Sequence, residues 1–185
     1  MITFLGTAGK ISENDIDVEA VKRSEILFLE GYLWDEGEPK KAFEKAISNA
    51  KKVAMSLSDL FCVERHKQNF LDLVKKKLDL TFANESEIMT LINTKNFDEV
   101  ITFAKEIKKH IVITRGEKGA ISIIGDEITE IKANKNLRIK DLTGAGDLFA
   151  AGYLHGFINN LPTKGCLEQA TKLSSKVIQQ IGARL

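Results

Sequence analysis

Over residues 25–124, short apolar runs of strand character alternate with segments whose apolar residues recur at helical spacing. That alternation restricts the fold more than any other feature of the chain. Residues 25–31, 53–57 and 78–83 are compact apolar runs, the pattern of parallel strands covered on both faces. Between them, residues 38–50 put Ala42, Phe43, Ala46, Ile47 and Ala50 on one helical face, and residues 65–77 do the same with Phe70, Leu71 and Val74. The lysines at 75, 76 and 77 suit the C-terminal end of that second helix and read as a solvated face. Repeated strand-helix units predict an α/β fold, a mostly parallel sheet flanked by helices, with ligands at the C-terminal ends of the strands.

The later part of the chain continues the pattern with a change of direction. A helix is expected through Phe97, Val100, Ile101, Ala104 and Ile107, then a strand at residues 111–114. Arg115 to Gly119 turn the chain into residues 120–124, and Gly125-Asp126 turn it again into residues 127–131, an antiparallel hairpin. A last helix is expected from about Thr163 to Ile181, with Leu167, Ala170, Leu173, Val177 and Ile178 on its apolar stripe. At the other end, residues 2–6 have the β-branched and aromatic content of a strand.

Chemistry is legible in one stretch, Asp141-Leu142-Thr143-Gly144-Ala145-Gly146-Asp147, where a polar turn gives way to a helix expected over residues 148–158. The first turn of a helix has backbone N–H groups without intrahelical partners, and with the macrodipole they favour an anion. Gly144, Ala145 and Gly146 carry little or no side chain, so an anionic ligand could approach those groups closely. Asp147 places a carboxylate beside them. An anion site next to a general base suits phosphoryl transfer. The plainer explanation is that acidic residues favour a first helical turn and glycines commonly precede helices. No Gly-Lys-Ser/Thr tripeptide occurs, which argues against a P-loop, and Phe149 stands where a dinucleotide fingerprint needs its third glycine.

Two further constellations sit at expected strand ends. Asn84 and Glu87 share one face of a first helical turn, where they could order water around magnesium or simply form a capping box. Gly116 and Gly119, after Thr114, suggest positive φ or a close backbone approach, for which a hairpin-type turn is the plain explanation.

These three motifs, in this order, resemble those of the ribokinase-like (PfkB) carbohydrate and nucleoside kinase family. The closest likeness is to a bacterial adenosine-kinase-like or sugar-kinase group, carried also by Tyr32-Leu33-Trp34-Asp35 and by residues 57–66. Leu142 departs from the family's usual small hydroxyl residue. The resemblance implies a three-layer ribokinase-like fold and a single kinase domain over residues 1–185. It implies Asp147 as catalytic base and Gly144, Ala145 and Gly146 as the phosphate-holding loop. Thr114, Gly116, Gly119 and Asn84 would line the nucleotide site, and Asn84 and Glu87 would organise Mg²⁺ through water. Asp141 matches a position that helps hold a monovalent cation such as K⁺ in some members. ATP and magnesium are thus the expected cofactors, and a nucleoside, adenosine first, or a sugar the expected acceptor.

The resemblance does not reach the family's N-terminal portion, with its glycine-rich first signature, much of its acceptor pocket and its β-lid. A separate N-terminal fragment or a homodimer is one expectation. The alternative is an inactive remnant retaining at most nucleotide or partner binding.

Composition excludes other classes. At 29% charged residues, net charge +1, 43% apolar residues and 2 prolines, the chain suits neither a disordered segment nor a nucleic-acid coat. Its apolar runs are too short to span a bilayer, and a cytoplasmic protein without membrane partners is expected. Cys62 and Cys166 are too far apart for a metal-ligand pattern and are expected as buried free thiols; His66, His110 and His155 are scattered.

Overall fold

The computed structural model describes residues 5–185, which divide into two compact units, one ending at Val100 and one formed by Ile101–Leu185. Of the strand expected over residues 2–6, residues 2–4 lie outside the described residues, while Leu5 is irregular and Gly6 opens a 3₁₀ turn, Gly6–Lys10.

In the first unit, a short helix α1 (Val18–Arg23) precedes three parallel strands, β1 (Leu27–Glu30), β2 (Val53–Ser56) and β3 (Leu80–Asn84), in that spatial order. Leu27 pairs with Val53 and Ala54 with Leu80, so the strand ends at Glu30, Ser56 and Asn84 point the same way. β2 and β3 are buried along nearly their whole length, as expected of strands covered on both faces. β1 differs: all its residues are only half-buried, because among the described residues it pairs with β2 alone.

Helix α2 (Glu38–Asn49) follows β1 and buries Ala42, Phe43 and Ala46, the face its spacing marked out. The helix expected over 65–77 is α4 (Lys67–Lys76), and a short helix that the sequence did not mark, α3 (Leu60–Arg65), precedes it, the two meeting at His66. α3 was hidden because its apolar residues are consecutive rather than periodic, and Leu60 and Phe61 are in fact exposed. Its start is set by Asp59, whose side chain accepts the Phe61 N–H at 2.8 Å. α5 (Glu85–Ile92) leaves β3 directly, and α6 (Phe97–Ile107) follows.

The second unit is built on an antiparallel meander, β4 (His110–Thr114), β5 (Ala120–Ile124) and β6 (Glu127–Ile131), with Thr114 opposite Ala120 and Ile124 opposite Glu127. Helices α7 (Ala145–Ile158) and α8 (Thr163–Val177) complete it. They approach closely because α7 carries glycine at the crossing. A Cβ on Gly152 would stand 2.8 Å from the Ala170 Cα, and one on Gly156 3.0 Å from the Cys166 Cα. Cys62 and Cys166 are buried free thiols, as expected. Among the described residues no helix is long and apolar enough to cross a membrane.

Candidate functional site

The start of α7 is shaped by one backbone conformation. Gly144 caps the helix in the left-handed region (φ 79°), and a Cβ there would lie 2.8 Å from the Ala183 Cβ, so glycine is required twice over. Leu148 N–H donates to the Gly144 carbonyl at 2.9 Å, which begins the ladder. The N–H groups of Gly146 and Asp147 fall in the first turn, where helix geometry supplies no acceptor. A Cβ on exposed Gly146 would meet nothing within 4 Å, so the N-terminal face of the turn is open.

Asp147 is the third residue of this helix and is exposed. A carboxylate there could have reached back to the cap, but no side-chain cap bond forms, and among the described residues Asp147 has no hydrogen-bond or ion-pair partner. Capping therefore does not account for it.

Asp141 is engaged through both carboxylate oxygens. Its Oδ1 accepts the Thr143 N–H (2.9 Å) and Oγ–H (2.7 Å), and its Oδ2 accepts the Gly182 N–H at 3.0 Å. The Gly182 and Thr143 donors hold its pKa below the ordinary carboxylate value. Lys140 and Asp141 also donate their N–H groups to the Ile178 carbonyl. The segment after α8 is thus fastened to the loop that leads into α7, which is how Ala183 comes to lie on Gly144.

The turn after β4 places Thr114 at a strand end, half-buried. Gly116 and Gly119 both have positive φ (57° and 101°). Their surroundings differ. A Cβ on Gly119 would stand 2.0 Å from the Ile131 carbonyl oxygen, so strand packing alone requires that glycine, whereas Gly116 faces open space.

In the first unit, Asn84 and Glu87 form a complete capping box. Asn84 Oδ1 accepts the Glu87 N–H at 2.9 Å, and Glu87 Oε2 accepts the Asn84 N–H at 2.9 Å. Asn84 Nδ2 donates to Glu87 Oε1 at 2.6 Å. Glu87 is buried at 5% exposure while Asn84 is exposed. Burial raises the Glu87 pKa; the Asn84 N–H opposes this and the charge of Asp59 adds to it.

Asp59, the N-cap of α3 just beyond β2, is a further acidic group near this box and was not among the expected site residues. Its charge and that of Glu87 reinforce the effect of burial on the Cys62 thiol, pushed up to about 11. Tyr32 Oη, 3.5 Å from Asp59 Oδ2, is pushed up to about 12 by burial and then by Asp59. The sequence signal for Asp59 was the Ser-Asp pair before an apolar run, a helix-start signature. Among the described residues no group of three or more His, Cys, Asp or Glu side chains could hold a metal ion.

The profile of the pfkB family carbohydrate kinases matches residues 1–185. The structure of an adenosine kinase from Sinorhizobium meliloti superposes with a TM-score of 0.92 at 33% identity, over 96% of this chain and 56% of that one. An adenosine kinase of Dictyostelium discoideum is 26% identical over 99% of this chain and 59% of its own length. A ribokinase of Lactococcus lactis is 29% identical over 58% of this chain and 34% of its own. The chain therefore spans little more than half the length of the adenosine kinases it matches.

Proposed function

Because the chain belongs to the pfkB family of carbohydrate kinases and carries their ribokinase-like α/β fold, we propose that it provides the catalytic part of an ATP-dependent phosphotransferase acting on a nucleoside or sugar hydroxymethyl group. Adenosine is the first choice of acceptor, since the S. meliloti and D. discoideum relatives are adenosine kinases. The observation that carries the reading is at the start of α7: an open first turn behind a left-handed glycine, with the Asp147 carboxylate exposed and unclaimed by any cap.

Asp147 accepts the proton of the attacking hydroxyl as that oxygen bonds to the γ-phosphorus of ATP and the bond from that phosphorus to the β–γ bridging oxygen breaks, releasing ADP. The first-turn N–H groups hold the phosphoryl oxygens and the charge that develops on them. Thr114 and Gly116 line the nucleotide site, and Gly119 holds their turn in shape. A small-molecule acceptor is expected, its pocket completed by a separate N-terminal fragment or by a second copy of the chain.

Magnesium, when bound, neutralises charge on the phosphates. Direct ligation by Glu87 does not fit, because its carboxylate is buried and faces Asn84, which donates to each of its oxygens. A water-mediated role for Asn84 does fit: its amide retains one lone pair and one N–H beyond those used in the cap. A monovalent cation at Asp141 fits poorly, since the groups around that carboxylate are N–H and O–H donors. No step is assigned to one.

The test is ADP production from Mg-ATP with adenosine, ribose, fructose or no acceptor, beside Asp147→Asn. Acceptor-dependent turnover lost in the variant supports the reading. A folded protein that binds ATP but never turns over points instead to a remnant retaining only nucleotide binding.

A further inference from the structure

A buried polar cluster in the second unit is not used by the proposed chemistry. His110 at the start of β4, Ser122 in the middle of β5 and Tyr153 on α7 meet in one place. The His110 Nε2 lies 2.9 Å from Ser122 Oγ and 2.8 Å from Tyr153 Oη, and those two oxygens are 3.0 Å apart. Ser122 and Tyr153 are each 1% exposed.

Apolar burial alone does little to fix the rotation of the helix that the cluster touches against the strands. α7 is apolar almost all round, with Phe149, Ala150 and Tyr153 buried and leucine, alanine and isoleucine elsewhere, and hydrophobic burial is non-directional. Gly152 and Gly156 set which face of α7 meets α8, a contact that ties the helix to α8 but not to the strands. Hydrogen bonds in a buried network are directional, and a wrong rotation would leave buried polar groups unpaired, which is strongly unfavourable.

We propose that His110, Ser122 and Tyr153 are positioning residues that lock the rotation and axial register of α7 against the β4–β5 hairpin, and thereby aim Asp147 and the glycine loop. Tyr153 lies six residues after Asp147, about 9 Å along the axis and roughly a third of a turn away in projection. Locking Tyr153 inward therefore holds Asp147 outward, as found. The same hairpin carries Thr114 and Gly116 at its turn, so the network fixes the two parts of the proposed nucleotide site in one frame. Burial holds the His110 pKa down to about 4, so near neutral pH the imidazole is uncharged and keeps an acceptor or donor for the hydroxyls in either tautomer.

The network rests on the kinase reading only for its effect on turnover, so the experiment has two readouts. Native-state amide exchange is compared at Leu148, Phe149 and Ala150 and at Ile121 and Ile123, in wild type, Tyr153→Phe, Ser122→Ala, the double variant and Ser122→Thr. Loss of either hydroxyl is expected to speed exchange at the start of α7 about 10-fold relative to β5, with the double variant little worse than either single one and Ser122→Thr restoring protection. In turnover, kcat should fall with the acceptor KM unchanged.

Exchange that rises equally in β5 and α7, or no change in either, overturns the proposal. If Tyr153→Phe does not fold, Ser122→Ala alone decides by the same comparison. Absence of turnover in the wild type would sink the kinase reading while leaving the exchange comparison able to decide the network.

Discussion

The carboxylate of Asp141 accepts the backbone N–H of Gly182, 41 residues later, at 3.0 Å, and so ties the end of the chain to the loop that opens α7. The tie has a pH dependence whose sign follows from its donors. They lower the folded-state pKa of Asp141, so the stabilisation is present above the unfolded value of about 3.9 and is lost as pH falls through the folded value. Thermal melts from pH 6 downward, run on wild type and Asp141→Asn, should show the wild-type advantage shrinking on acidification below about pH 4. The variant should lack that part of the slope. Exchanging K⁺ for Na⁺ should leave the wild-type melting temperature unchanged; a specific rise with K⁺ would show that the carboxylate holds a cation after all.

Gly144 and Gly146 look alike in sequence and should behave oppositely. Gly144→Ala forces a side chain into the left-handed region and against Ala183, a strain of about 1–3 kcal/mol. Gly146→Ala meets nothing and removes freedom from the unfolded chain, so stability should be kept or rise by about 0.4–1 kcal/mol. The added methyl nevertheless sits on the open face of the first turn, so ATP affinity should fall. Denaturant unfolding and nucleotide titration of both variants test this; a Gly146→Ala protein with unaltered ATP affinity would remove the anion-site reading of that turn.

Glu87 tests whether the capping box is structural, functional or both. Glu87→Gln sets an amide N–H against the Asn84 donors that the carboxylate now accepts, so part of the cap is lost and stability should fall by about 1 kcal/mol. The sign with pH is opposite to that of Asp141. Burial raises the Glu87 pKa, so its ionisation opposes folding: the contribution favours the fold below the unfolded value of about 4.3 and is lost as pH rises through the folded one. The difference between wild type and variant should therefore narrow as pH rises through the Glu87 transition. A constant difference across that range would show that the group does not titrate there.

These contrasts show how far a sequence alone can be read. Periodic helices such as α2 and α6, and the strands around Met55 and Phe82, follow from patterns that burial enforces directly. α3 did not show, because Asp59 caps a run whose apolar residues face both core and solvent. Among candidate site residues, the local features were legible: the open turn at Gly146, the capping box of Asn84 and Glu87, and the positive φ of Gly116. What could not be read were partners distant in sequence. Gly182 for Asp141, Ile131 for Gly119 and Tyr153 for His110 are set by tertiary packing, which leaves no spacing signal in the chain.

Asp147→Asn separates catalysis from folding more cleanly than any other change. The side chain is exposed, caps nothing and has no partner among the described residues, so the amide should leave the melting temperature essentially unaltered. It also keeps the shape of the first turn, so ATP affinity should change little. Only the ability to take a proton is lost, and the usual loss on removing a general base is about 10²–10⁴ in kcat. Because the acceptor does not need the carboxylate to bind, its KM should move far less than kcat. Steady-state kinetics with the preferred acceptor, beside calorimetric ATP binding, distinguish the cases. Turnover that survives the substitution would move the proton to another group and leave Asp147 with an electrostatic role at most.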